Sequence, residues 1–586
     1  MPGTSDKVKN ILKAAGSVKM DMGANVKDGE NIEASGTIVT DNGLLDFEGV
    51  ASSIRNGLPK INVTLKGEDV GLGQFLDTGK LGNISFNLEA NLEGIDRNAE
   101  GKVVFTSDAF EVMGKHFSNA EVIVEKSKDD VDLKLETSAD GMELDMAAFC
   151  RLAGKKSEVN TDINISGFTP ADFGINGSLA DCTISTKIEA HALGNSADNL
   201  LGSLRVSDLT VYNTAKDKLH LSELNVSIDS IGSPESVKER KLTLTSDWVD
   251  GRIEGYVKPG TVAKEIKKIL SSVLPTMIPP ESLLTATEDD CNDFKFNFNI
   301  KGVEDPYIFF NTPVRPLSDI PVSGAVNVRQ GKLGIDLNTP HLLQGKNKLI
   351  RDVLFSFSAD SYLGMAKTNL GAIYPTKKGD AQIAADLYAS ADEVRVDVGF
   401  NPTMESRVKG SISFISTFNK IADPFNPKGE IAVHTEMLPS TITIRDKTWQ
   451  VADSKIDYMG KKVSVSKFRI SHDDQFVAID GIASESPNDK IKVKLNDIDL
   501  EYIFNILNIN YVSFGGMATG EVEGSMLLAK RPTAHTDFLR VKDLSYNGAV
   551  LGDGDLASEY DSYSQKVGIY AVIRDPLTRK RKASVA

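Results

Sequence analysis

The chain has only three cysteines in 586 residues, Cys150, Cys182 and Cys291. They are odd in number and far apart, which excludes a disulfide framework and any CxxC metal or redox spacing. Tryptophan occurs twice, aromatics make up 7% and the hydrophobic share is 40%. That is lean for a compact enzyme of this length and fits a long structure with a narrow core. No stretch reaches the roughly 18 apolar residues of a transmembrane helix. The first sixteen residues, MPGTSDKVKNILKAAG, lack the apolar run of a secretory signal. Taken literally the chain is soluble and cytoplasmic; the other reading is an internal piece of a larger protein.

The net charge is −16, with no basic domain to neutralise phosphates, so a nucleic-acid partner is not expected. Catalytic patterns are missing too. The seven histidines stand singly, without metal-ligand spacing. His472 has Asp473 and Asp474 beside it, but in a sequence of turn type. There is no GxSxG, no phosphate-binding glycine loop and no GxGxxG after a strand. Val512 to Gly516 is glycine-rich yet precedes a strand, so no helix N-terminus is on offer. Asp129-Asp130 and Asp289-Asp290 fall in turns. No catalytic residue, metal ligand or cofactor is expected, and the chain reads as a non-enzyme. A β-helix enzyme would hide its carboxylates in the same way.

What the chain does have is alternation. Val463 and Val465, then Val477 and Ile479, then Ile491, Val493 and Leu495 each alternate with polar residues. Period two gives a strand one apolar and one wet face. The connections HDDQ and SESPNDK are turn chemistry. Ile498, Leu500, Ile503, Phe504 and Leu507 then follow helical spacing for about two turns, before a glycine-rich strand from Phe514 to Met526. The same grammar recurs near the start, where Asp69-Val70-x-Leu72 and Phe75-Leu76 parallel Asp497-Ile498-x-Leu500 and Ile503-Phe504. The recurrence suggests a degenerate repeat; chance similarity between β-rich segments is the other explanation.

In order, residues 1–16 read as a short helix and 17–260 as a first β-repeat region, with Val131, Leu133 and Leu135 a clean half-buried strand. Residues 261–304 are a helix-and-strand connector. There Val262, Ile266, Ile269, Leu270 and Val273 share one face, opposite lysines, and Pro275 and Pro279-Pro280 end the helix. Two roles stay open for it: lying on a membrane or in a groove, or capping an end of a β core. The strand Phe294, Phe296, Phe298, Ile300 follows. The proline-rich stretch 305–321 reads as an extended boundary. Strands resume over 322–573, and 574–586 is a basic, strandless tail, read as a non-native or truncated end, with a contact to an anionic surface as the alternative.

A long sheet with one apolar face must cover it. It folds into a dry sandwich, or it curls without closing and leaves an apolar groove for a ligand. Strand plus turn takes about 12 residues, giving roughly 40 strands, and at about 4.8 Å each a stack on the order of 200 Å. A trough lined by Val463, Val465, Val477, Ile479, Ile491, Val493 and Leu495 suits phospholipid acyl chains. The expected fold is therefore all-β, a long curled antiparallel sheet with a few short amphipathic helices.

From about Gly429 to Val572 the sequence resembles the central region of TamB-type proteins of Bacteroides-like bacteria. The residues that carry this are WQVADSKIDY (449–458), SHDDQFVAIDGIASESPNDKIKVKLNDIDLEYIFNILNI (471–509), VSFGGMATG (512–520) and NGAVLGD (547–553). The family belongs to the AsmA-like envelope proteins. The resemblance implies a role in the translocation and assembly module, lipid transport between inner and outer membranes, outer-membrane biogenesis and protein secretion. It also implies a periplasmic location with an inner-membrane anchor, and an outer-membrane barrel as assembly partner. Without the family's N-terminal membrane helix and C-terminal domain, the chain reads as an internal fragment. A structural or adhesive β-repeat protein with a dry core is the alternative.

Overall fold

The computed structural model describes residues 15–585, except 55–57, 77, 95–98, 152–156, 233–238, 280–290, 346–347, 377–378, 402–407, 424–425, 445–446, 502–513 and 562–565. The chain is 72% strand and 6% helix; among the described residues there are thirty-five strands, paired antiparallel, and three short α-helices. All-β is thus the observed class. The helices are Leu72–Phe75, Val262–Ser271 and Asp305–Phe309. Two compact units divide the chain: residues 1–260 with 294–321, and residues 261–293 with 322–586. The helix expected over 4–16 lies almost wholly outside the described residues, as do Ile503, Phe504 and Leu507.

Within each unit most strands pair with the next one along the chain. In the first unit Asn31–Thr40, Gly43–Ser52, Lys60–Gly71 and Leu81–Glu93 form such a meander, and it continues to Val249–Tyr256. In the second, Asn426–Ile444 is long enough to pair with two short strands, Lys447–Val451 and Ser454–Met459.

Alternation accounts for the strands, but a strict period of two is interrupted in a regular way. Asp69, Asp208, Asp352, Asp497 and Asp543 all take φ between 49° and 53° inside strands, each followed by an apolar residue. At Asp69 and Asp497 the pairing register slips by one residue, which is a β-bulge. Aspartate tolerates the left-handed region better than most residues. The exposed N–H is collected by the neighbouring strand: Asp69 donates to Ser85 Oγ (3.0 Å) and Asp497 to Thr519 Oγ1 (3.0 Å). The extra residue reverses parity, so Val70 returns to the face of Ile61, Val63 and Leu65. Ile498 likewise returns to the face of Ile491, Val493 and Leu495. Val70 is 5% exposed and Ile498 3%.

The Asp-Val-x-Leu and Asp-Ile-x-Leu similarity thus corresponds to one shared device. It also explains why Ile498 reads as helical from sequence: it closes the strand Lys490–Asp499, and only the bulge gives it that spacing. Asp497→Ile is expected to cost about 1–2 kcal/mol, because a β-branched residue pays for the left-handed φ. Asp497→Gly is expected to be close to neutral. Urea denaturation of the two variants checks this.

Dry cores form at the bulged side. In the second unit Trp449, Leu495, Ile498, Leu500, Ala518, Val541, Leu544 and Ile573 cluster. In the first, Phe117, Ala139 and Met142 pack with Phe168 and Phe173, and Cys182, Val211 and Leu219 pack with Trp248 and Phe309.

Two local expectations change. The stretch 305–321 is not simply extended. Pro306 sits in the first turn of a short helix, where its missing N–H costs nothing, and a strand follows at Val314–Pro316. The tail 574–586 is not strandless. Arg581–Val585 pairs with the strand Lys566–Arg574, and a turn between them is closed by Asp575, which accepts the backbone N–H groups of Leu577 (3.1 Å) and Thr578 (2.8 Å). Backbone pairing does not require apolar side chains, so a Lys/Arg-rich segment serves as an edge strand, where charge is common.

The Thr578 N–H and Lys582 (3.2 Å) hold the Asp575 carboxyl down at about 2. A depressed folded pKa stabilises above the unfolded value and is lost as pH falls through the folded one. The turn is therefore expected to stay closed at pH 4 and to open between about pH 3.8 and 2. The exchange rate of the Thr578 amide reads this out.

Candidate functional site: a half-buried apolar face

Directly paired residues of an antiparallel ladder share a face. In the second unit Val465 pairs with Gly481 and Gly481 with Ile491; Val463 pairs with Ala483. Ile479 pairs with Val493, and Val477 with Leu495. The register thus places Val463, Val465, Val477, Ile479, Ile491, Val493 and Leu495 together on one side. Leu495 is buried in the dry cluster at 6% exposure, while the other six are half-buried. Gly481, at φ 123°, leaves the row without a side chain between Val465 and Ile491; a Cβ there would meet the Lys490 carbonyl at 2.1 Å.

The opposite side of the same strands is ionic. Lys490 meets Glu523 (2.5 Å), Lys492 meets Glu521 (3.0 Å) and Glu523 (3.5 Å), and Lys494 meets Glu521 (3.6 Å). The lysines of these pairs stand in water, and pairs of that kind add little stability. What they settle is which face is wet.

The first unit carries a longer version that the sequence did not reveal. One residue from each of eleven consecutive strands lines up: Phe47, Leu65, Leu88, Phe105, Val122, Leu135, Met146, Ile163, Ile188, Val206 and Leu224. Every member is apolar, and every member is half-buried. With about 4.8 Å between strands the row runs roughly 50 Å. Cys150 lies in a parallel row, paired with Val131 and Val159, and is partly exposed. Cys182, by contrast, is buried, and burial raises its thiol pKa.

The helix Val262–Ser271 does not lie on this face. Ile269 and Val273 are each 2% exposed, and Val262, Ile266 and Leu270 are half-buried. Its apolar side packs on the strands Lys332–Gln344 and Lys348–Asp360. Glu265, buried at its centre, accepts both the backbone N–H and the Nδ2 of Asn292 (2.9 Å each). After it, Val273 accepts the Asp392 N–H (3.1 Å), and the Asp392 carboxylate accepts the N–H and hydroxyl of Thr276.

On the wet face of the first unit there is a concavity of about 710 Å³, with Lys134, Asp162, Glu189, His191 and Arg205 in its walls. Arg205 is taken up by Glu223 (2.7 Å) and Glu189 (4.0 Å), and His191 faces Glu158 (3.4 Å). His472 is tied back as well: its Nδ1 donates to the Thr448 carbonyl (2.9 Å) and its ring leans on Trp449. Among the described residues no group of three His, Cys, Asp or Glu side chains is arranged to hold a metal ion. No described helix is long and apolar enough to cross a membrane.

Comparison with protein-family models, with curated proteins and with solved structures finds no match. What the face does must be argued from its own chemistry.

Proposed function

We infer that the half-buried apolar face lines an open groove that holds acyl chains, and that the chain serves as a lipid-conducting scaffold of the bacterial envelope. One observation carries this reading: the uninterrupted row of eleven apolar residues in the first unit, none of them buried and none polar. A row of that kind has two physical uses. It is covered by a second layer of protein, in which case its members are buried, or it is covered by a ligand of matching shape. Acyl chains are long, narrow and apolar, and leave their headgroups in water. The likeness of residues 429–572 to TamB-type proteins points the same way. On that basis a periplasmic location, an inner-membrane anchor and an outer-membrane barrel partner are part of the proposal.

The experiment is mass spectrometry of lipids that co-purify with the chain expressed in the periplasm, joined to a polarity-sensitive probe on Cys150. Stoichiometric phospholipid and a blue-shifted probe that reddens on delipidation are the expected results. A stable, lipid-free protein with a probe indifferent to added lipid would favour the dry structural or adhesive scaffold instead.

A further inference from the structure

The geometry points to a second, separate lipid contact: two adjoining turns near the end of the chain dock on the surface of an anionic bilayer. Both turns belong to the second unit. One joins the strands Thr533–Tyr546 and Ala549–Asp561; the other joins Lys566–Arg574 and Arg581–Val585. Asp553 pairs with Arg574, so residues 550–552 lie beside the start of the second turn. Arg579 of that turn reaches Asp553 (3.1 Å) and fastens the two together.

Apolar side chains stand at both tips. Leu577 is 92% exposed and Val550 69%, and Leu551 and Tyr546 are exposed next to Val550. They are held out by a fixed backbone. The Asp575 carboxylate accepts the N–H groups of Leu577 (3.1 Å) and Thr578 (2.8 Å). The Asp575 N–H donates to the Lys580 carbonyl (2.8 Å), and the Arg579 N–H donates to the Asp575 carbonyl (2.9 Å).

Charge selects the kind of bilayer. Residues 574–582 hold five cations, Arg574, Arg579, Lys580, Arg581 and Lys582, and one carboxylate, Asp575. The adjoining stretch 540–555 adds Arg540 and Lys542 with Asp543, Asp553 and Asp555. Seven cations thus stand against four carboxylates, on a chain of net charge −16. Three of the carboxylates are engaged: Asp575 with Lys582 (3.2 Å), Asp553 with Arg579, and Asp555 with Arg540 (3.2 Å) and Arg574 (3.4 Å). Asp543 is the exposed exception. Lys580 and Arg581 are exposed and belong to none of these pairs. Asp497, Asp499 and Glu501 reach the same end of the sheet three strands away from Ala549–Asp561, at roughly 14 Å.

A partner that is only ionic would leave Leu577 and Val550 in water, and one that is only apolar would leave Lys580 and Arg581 unmatched. An anionic bilayer answers both. Its surface attracts the cations, apolar side chains that enter the interface add a salt-insensitive part, and tyrosine suits the headgroup level.

The test is flotation of the full chain with phosphatidylcholine vesicles, with and without phosphatidylglycerol, beside circular dichroism of each variant. The wild type is expected to float with the anionic vesicles and to bind neutral ones at least about tenfold more weakly. Lys580→Glu with Arg581→Glu is expected to abolish the preference for phosphatidylglycerol. Leu577→Ser with Val550→Ser is expected to lower binding at least about tenfold while keeping that preference. All four positions are exposed, and unchanged spectra are expected. Lack of flotation by the wild type, equal binding of the wild type to both kinds of vesicle, or equal flotation by all variants would overturn the proposal. So would self-association of the wild type that Lys580→Glu with Arg581→Glu removes, which would make the acidic surface of a second copy the occupant. The outcome is separable from the groove reading. A chain that carries lipid but does not float leaves the groove standing without the dock; one that floats but carries no lipid leaves the dock without the groove.

Discussion

Val493→Asp is expected to stop lipid transfer between donor and acceptor vesicles, lowering the rate at least about tenfold, while the protein stays folded. The side chain is half-buried, between Ile479 and Val522 on the apolar face. A carboxylate there keeps partial access to water, so the fold pays about 1–2 kcal/mol. An acyl chain that must pass it meets an ionised group in an apolar path, at a cost of several kcal/mol, and each 1.4 kcal/mol is about tenfold. The control is Val541→Asp. Val541 is 0% exposed in the cluster of Leu495, Ile498 and Leu544. A charge there is expected to cost about 4 kcal/mol or more and to unfold the second unit. If Val493→Asp unfolds the protein as Val541→Asp does, the face is a closed core and the groove does not exist. Circular dichroism beside the transfer assay separates these results.

Arg240→Ala is expected to cost about 3–5 kcal/mol in the first unit, a loss as large as any core truncation there. The guanidinium is 4% exposed and donates to three carbonyls, those of Ala197 (3.1 Å), Leu200 (3.2 Å) and Val257. Burial lowers its pKa from the ordinary guanidinium range, with Asp198 opposing that shift. Asp198 in turn accepts the Gly260 N–H (3.2 Å). Removing the side chain takes the donor from three carbonyls at once and leaves a cavity where the buried guanidinium lay, and each buried acceptor left unpaired costs about 1–3 kcal/mol. Arg240→Lys is expected to recover only part, because one ammonium does not span three acceptors as a planar fork does. Thermal melts of the two variants, with Arg205→Ala as a control that removes only the exposed pairs to Glu223 and Glu189, check the ranking.

Much of the fold was legible because it is written one strand at a time. Val463 with Val465, Val477 with Ile479, and Ile491 with Val493 and Leu495 alternate cleanly, and the register puts them on one face. Three features were not legible, each for a physical reason. The row from Phe47 to Leu224 takes one residue per strand, so it exists only once ten pairing registers are fixed, and no single strand displays it. The bulge at Asp497 hides because an extra residue in a strand and a change to helical spacing look alike over five positions. The strand Arg581–Val585 hides because its pairing is made by backbone alone. The helix Val262–Ser271 shows the converse: its amphipathic pattern was clear, but a pattern does not say whether lipid or protein covers the apolar side. Here strands cover it.

The meander has a consequence for how such a chain is built and altered. When a strand touches only its predecessor and successor, almost every contact is local along the chain, and stability becomes a sum of neighbour terms rather than a property of one central core. Any hairpin can begin the structure and the rest can add to it in turn. Removing a pair of strands, such as Lys115–Ser127 with Asp130–Ala139, restores the direction of the chain and the parity of the faces at once. Length is then a free variable: such a sheet can be shortened or lengthened by whole hairpins, with the apolar row losing or gaining two members each time.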